Sequence, residues 1–256
     1  MTESTATATN TPAWIDLSSA DPAAARDFYA KLFGWQVEVN PDPQYGGYAL
    51  AKIGGKDVAG IGGVQSPGQP SAWSVYIGTD DAEGLGQRVK AAGGTVVAPA
   101  FDVGDQGKMA VFQDPSGAFI SGWQTSQMSG FRTDGPNTFG WAELSARGLD
   151  KVLNFYREVF GWTARAAGND AQPYTEFQID GQSVAGAMEM NPMVPAEVPS
   201  YWMVYFGVDD VDRTYRTAID AGGREILAPR DFPGGRLAIL SDPQGAAFGL
   251  LTMAAR

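Results

Sequence analysis

Hydrophobic and polar positions alternate over residues 13–18, AWIDLS, which predicts a strand with one face inward. The period then lengthens. Phe28, Tyr29 and Leu32 share one side of a helix that Asp21 caps, Pro22 opens and Gly34 stops. Two or three strands follow, around 46–53 and 57–64. The scheme then restarts. A strand at 73–79 meets Asp80-Asp81 as a cap, a helix at 82–92 and a stop at Gly93-Gly94. Strands near 95–98, 108–113 and 117–123 close the unit, with DPSG as the tight turn before the last.

The same order is written again. Phe28-Tyr29 and Phe33-Gly34-Trp35 return as Phe155-Tyr156 and Phe160-Gly161-Trp162, and Trp14 returns as Trp141. VAG at 58–60 recurs at 184–186, and WSVYIGTDD from Trp73 recurs as WMVYFGVDD from Trp202. MAVFQDPSGAF from Met109 matches LAILSDPQGAAF from Leu237. Repetition on this scale marks duplicated modules. The prediction is an α+β chain of four strand-helix-three-strand units in two modules, 13–124 and 140–252. A polar linker at 125–139 joins them, a disordered tail covers 1–12, and a short tail covers 253–256.

Composition narrows the chemistry. The chain has 256 residues and a formal net charge of -11, which argues against nucleic acid and anionic membrane as partners. It has no Cys, so no disulfide, thiolate nucleophile or Cys-ligated metal. It has no His, which removes the commonest metal ligand and general base and excludes Ser-His-Asp catalysis. The start, MTESTATATNT, lacks the basic and apolar regions of a signal peptide, and no stretch approaches a membrane span, so a cytoplasmic location is expected.

FYAKLFGW and FYREVFGW after each first strand, TDD and VDD before each second helix, and DPSGAF and DPQGAAF before each last strand together resemble the vicinal oxygen chelate superfamily. That family includes glyoxalases, extradiol dioxygenases and bleomycin-resistance proteins. The resemblance implies two tandem glyoxalase-like modules, each a mixed curved sheet around a cavity. It also implies up to four metal-ligand places per module. Here those places fall at Trp14 and Trp141, near Ile61 or Gly62 and Ala187 or Met188, at Ser74 and Met203, and at Ser121 and Gly249. None is a usual ligand for a divalent ion, although Glu189 lies one step from the second place. The expectation is therefore no metal and no cofactor.

The same places say which residues look inward, because i and i+2 share a strand face. Asp16 follows Trp14, Glu143 follows Trp141, Tyr76 follows Ser74 and Tyr205 follows Met203; Phe119 and Trp123 flank Ser121, as Ala247 and Leu251 flank Gly249. Tyr48 and Tyr174 occupy matching places with undetermined facing. Such a cavity suits a small apolar or aromatic ligand, stacked on Trp and oriented by acids and phenols. Two functions stay open: metal-independent binding of the sequestration or resistance type, and metal-free acid–base catalysis on a polyketide-like or carbonyl substrate. Catalysis would use Glu143 or Asp16 with Tyr205 or Tyr76, and the longer reach of Glu143 favours it. A third possibility is a degenerate scaffold whose tryptophans fill the cavity. Phe28, Tyr29, Phe155 and Tyr156 read as helix-face core, and Asp80, Asp81, Asp209 and Asp210 as caps. Which units pair to close each cavity, and whether the chain is a monomer or homodimer, stay open.

Overall fold

The computed structural model describes residues 9–128, 130–169 and 172–253. Module one runs β1 (Pro12–Ser19), α1 (Pro22–Phe33), β2 (Gln36–Val39), β3 (Ala49–Ile53), β4 (Lys56–Gly63), β5 (Ala72–Gly78), α2 (Ala82–Ala91), β6 (Thr95–Val103), β7 (Gly107–Gln113) and β8 (Phe119–Thr125). Module two repeats it as β9 (Thr138–Ala146), α3 (Asp150–Phe160), β10 (Thr163–Asn169), β11 (Gln172–Ile179), β12 (Gln182–Glu189), β13 (Tyr201–Gly207), α4 (Val211–Asp220), β14 (Arg224–Phe232), β15 (Gly235–Ser241) and β16 (Ala247–Met253).

Each module is one mixed eight-stranded sheet, in the order β2-β3-β4-β1-β5-β8-β7-β6 and its counterpart β10-β11-β12-β9-β13-β16-β15-β14. The open question of unit pairing is thereby resolved: the two units of a module share one sheet through β1–β5 and β9–β13. The helix signals hold in detail. Asp21, Asp81 and Asp210 accept backbone N–H bonds as N-caps, and Gly34 and Gly161 end their helices in the left-handed region at φ 70°. Of each acidic pair, only the second residue caps. The tail expectation needs correction at its end: Pro12 already lies in β1, and the Asn10 carbonyl accepts from the Trp162 indole at 2.7 Å. Residues 1–8 and 254–256 of the predicted tails lie outside the described residues.

The helices lie between the sheets, with α1 against α4 and α2 against α3. The convex faces carry Ile15, Leu17, Val75, Ile77 and Ile120 in module one, all buried, and the aromatics of α1, with Trp73 of β5, meet the convex aromatics of module two. Phe33 and Phe206 have ring centroids 4.8 Å apart, and Phe28 meets Phe248 edge-on at 6.1 Å. The concave faces therefore look away from each other, one trough per module. Among the described residues no helix is long and apolar enough to cross a membrane.

Candidate functional site

One bulge per module sets the inward residues. Between Pro12 and Trp14, β1 carries an extra residue against β5, and β9 does the same between Phe139 and Trp141 against β13. Bulges bend a strand and re-aim the next side chain. Beyond them Trp14 lies across from Tyr76 and Asp16 across from Ser74, while Trp141 lies across from Tyr205 and Glu143 across from Met203. The register puts Trp14, Asp16, Ser74 and Tyr76 on one face of their sheet and Trp141, Glu143, Met203 and Tyr205 on the matching face of the other, and Tyr48 and Tyr174 reach those faces through their hydrogen bonds.

In module one the Trp14 indole N–H donates to the Tyr48 hydroxyl at 3.0 Å. The hydroxyls of Tyr48 and Tyr76 both donate to Asp16 Oδ2, at 3.3 and 3.0 Å. Asp16 Oδ1 is enclosed and has no hydrogen-bond partner. Burial dominates and lifts the Asp16 carboxyl from 3.8 to about 6, against the help its tyrosine donors and the nearby Ser74 give the charged form. In module two the Trp141 indole donates to Tyr174 at 2.8 Å, and Tyr205 donates to Glu143 Oε1 at 3.0 Å. Burial again raises the acid, while Tyr174, Tyr205 and the Arg230 charge favour its ionised form. The four phenols are all pushed up, first by burial and then by the adjacent acid, and stay protonated donors.

The repeated VAG motif acquires a reason here. Gly60 stands beside Asp16 in the β4–β1 register, and Gly186 stands beside Glu143. A Cβ on Gly60 would lie 1.7 Å from the Tyr48 hydroxyl oxygen, and one on Gly186 would lie 1.8 Å from that of Tyr174. The missing side chain is what lets each phenol cross the sheet to its acid. Gly60→Ala should expel the Tyr48 ring, break its bonds to Trp14 and Asp16, and cost about 1–3 kcal/mol of stability by overpacking. Urea titration checks it; an unchanged midpoint refutes this role for Gly60.

The implied metal does not fit these residues. Its places hold indoles, Ser74 or Met203, and Ser121 or Gly249; at the second place Gly62 and Met188 are on the concave side, whereas Ile61 and Ala187 are buried in the core. Tyr48 lies over Gly60 and Gly62, filling the space a ligand there would use. Glu189 does not slip inward: its carboxylate accepts from the Gly148 and Leu149 amides at 2.8 and 2.7 Å, at the start of α3. No group of three or more His, Cys, Asp or Glu that could hold a metal ion occurs among the described residues.

The two troughs are unequal. In module one Trp14, Tyr76, Ser121 and Trp123 are buried and belong to or border the main core. The linker closes that trough: Phe131 is 2% exposed and meets Trp14 edge-on at 5.7 Å. Backbone pairing of Arg132 N with the Asp57 carbonyl at 2.7 Å anchors this segment. Module one has a polar recess of about 500 Å³ lined by Asn40, Asp42, Tyr45, Gly104, Asp105 and Gln106. In module two Met203, Tyr205 and Leu251 form an apolar cluster separate from the main core, with Trp141, Phe232, Leu237 and Ile239 only partly buried around it. A recess of about 400 Å³ borders Leu251 and Gly140, where module one has Trp123 and Ala13. Phe119 is the exception among the sequence-predicted residues: it is 55% exposed at the start of β8, a rim position rather than a wall. Phe131, Phe232 and Arg230 were missed by sequence reasoning. Phe131 sits in a stretch that reads as linker, and the other two lie on an edge strand whose bulges blur the repeat.

Comparison with known proteins agrees with this architecture. The model of the Glyoxalase/Bleomycin resistance protein/Dioxygenase superfamily matches residues 11–121 and again 138–250. Over 251 residues, 94% of each chain, the protein is 41% identical to "Putative glyoxylase CFP32" of Mycobacterium tuberculosis. It is 38% identical over 257 residues to the anthracycline biosynthesis protein DnrV of Streptomyces peucetius, covering 94% of this chain and 93% of that one. Among solved structures, the Mn(II)-bound glyoxalase from Novosphingobium aromaticivorans shares the fold with a TM-score of 0.67 at 16% identity, over 95% of this chain and 82% of that one. Two matched modules, two like sheets and relatives that span nearly the whole chain place this protein in the glyoxalase/bleomycin resistance/dioxygenase superfamily, as a tandem member whose metal-ligand places are filled by other residues.

Proposed function

We propose that the protein binds a small apolar or aromatic molecule in the trough of module two, without a metal. The observation that carries this reading is the apolar cluster of Met203, Tyr205 and Leu251, which stands apart from the core and leaves its Trp141, Phe232 and Leu237 surround open. Apolar surface gathered in a concave site over a few polar groups is how small-molecule sites are built. Trp141 offers a flat face, and Glu143 with Tyr205 offers an acceptor and a donor beneath it. Such a protein acts as a sequestering or carrier module. The relative named for anthracycline biosynthesis supports a planar, oxygen-bearing polycyclic ligand.

A dihydroxyanthraquinone titrated into the protein with EDTA present tests the reading. Saturable binding should shift the Trp141 indole N–H resonance, and Trp141→Ala should weaken it at least tenfold while Trp14→Ala leaves it unchanged. Absence of saturable binding, or full affinity in Trp141→Ala, overturns it.

Metal-free acid–base catalysis is a second reading, favoured by one observation. Burial raises the Glu143 carboxyl beside phenols that remain protonated, which is the setting of a general acid or base facing a carbonyl donor site. Enolisation, cyclisation or dehydration would need only those groups. Product formation lost in Glu143→Gln with binding retained is its expected signature.

A further inference from the structure

Edge strand β14 holds a cation, Arg230, that none of the ligand contacts named above uses. Arg230 pairs in register with Leu237, Leu237 pairs with Leu251, and both leucines belong to the trough cluster of module two. Cross-strand partners share a face, so Arg230 and, two residues on, Phe232 stand on the trough wall. Arg230 is exposed and forms no ion pair among the described residues, whereas Arg236 nearby is taken by Asp212 and Asp231 at 2.6 and 2.8 Å. Along the sheet four strand spacings of about 4.8 Å separate β14 from β9. The curl of the sheet shortens the line across the trough, and the Arg230 charge is felt at Glu143.

Module one shows what is particular to this residue. Phe101 pairs with Met109, and Met109 pairs with Trp123, the same three-strand row. The counterpart of Arg230 is therefore Phe101, and the row that is apolar throughout in module one carries a guanidinium at its edge in module two.

Resting on the binding reading above, we infer that the module-two trough selects an anionic planar ligand: an aromatic carboxylate or enolate whose charge meets Arg230 and whose far hydroxyl meets Glu143. A guanidinium offers two parallel donors to a carboxylate. The acid opposite accepts from a hydroxyl and repels a second negative charge, which fixes the ligand's direction. Sequestration and catalysis both become selective by this pair.

The test uses the intact protein and a hydroxynaphthoic acid with hydroxyl and carboxylate at opposite ends of the rings, alongside its methyl ester. Trp141 is followed by its indole resonance, assigned through Trp141→Phe. At pH 8 the acid should bind at least tenfold tighter than the ester. Arg230→Met should equalise the two without changing the melting temperature, and Arg230→Lys should restore part of the preference. Equal binding in the native protein, or a preference that survives Arg230→Met, overturns the inference while binding of dihydroxyanthraquinone leaves the wider reading standing. Failure of all three compounds to move Trp141 overturns both.

Discussion

Asp16→Asn is expected to stabilise the protein by about 2 kcal/mol at pH 8 and to leave it nearly unchanged at pH 4. The Asp16 carboxyl is lifted from 3.8 to about 6 in the folded state. Between about pH 4 and pH 6 the folded protein therefore holds a proton that the unfolded chain releases, and stability falls as pH rises through that window. Above it the loss is constant. The lift corresponds to about 3 kcal/mol at one position, discounted here because the substituting amide must find its own partners. Asparagine keeps a carbonyl oxygen for Tyr48 and Tyr76 and puts an amide where Oδ1 stands without a partner, next to Ser74. For a chain of this size the gain reads as a rise of about 5 °C in melting temperature. Paired melts at pH 4 and pH 8 check it. A shift of equal size at both values would show that Asp16 is not held against its own charge.

An acid kept at such a cost inside a closed trough is a residue retained for something other than stability, since stabilising replacements at such sites are easy to find. Phe131 covers it from the linker. Module two repeats the acid, the phenols and the indole, but leaves its trough uncovered by any described residue equivalent to Phe131. The pair thus separates what the shared scaffold does from what one copy adds: the Trp–Tyr–acid chain is common, while the open wall, Leu251 and Arg230 belong to module two.

Much of this was legible because it is local. Caps, glycine stops and strand alternation act over a few residues, so Asp21, Gly34 and the inward placement of Trp14 with Asp16 follow from the order of residue types. The facing of Tyr48 does not, because it depends on the bare backbone of Gly60 on the next strand. Phe131 is one aromatic in a polar stretch, and only the packed modules show that it has Trp14 and Phe139 to meet. The equivalence of Arg230 and Phe101 is hidden by paired bulges that shift β6 and β14 against their neighbours. The FY motif was legible as core, but its hydroxyl was not, since its partner lies in the other module.

That hydroxyl carries the largest loss of stability expected of any single substitution. The Tyr29 hydroxyl donates to Asp242 Oδ2 at 3.2 Å and accepts from the Trp73 indole at 2.9 Å. Reciprocally, Tyr156 donates to Asp114 Oδ2 at 2.7 Å and accepts from Trp202 at 2.9 Å. Each Asp opens the turn before a last strand, so one side chain ties that turn and the neighbouring module together. Asp242 Oδ1 accepts from the Gln244 and Ala246 amides, both at 2.9 Å, and Asp242 is fully buried. Asp242→Ala strands a phenol and two amides at once. Orphaned buried polar groups cost about 1–3 kcal/mol each, and relaxation of the exposed edge of the turn returns part of that. The expected loss is about 4 kcal/mol, or about 12 °C in melting temperature. Asp114→Ala should lose a similar amount. Asp242→Asn keeps the turn bonds and should lose less than half as much; Tyr29→Phe strands the Trp73 indole N–H as well, and if the two groups are coupled Tyr29→Phe/Asp242→Asn loses less than the sum of its single variants. Calorimetry of these four variants and of Tyr29→Phe alone reads all of this. A drop of only a degree or two in Asp242→Ala, or strict additivity in the double variant, would mean that the modules are held by aromatic packing alone.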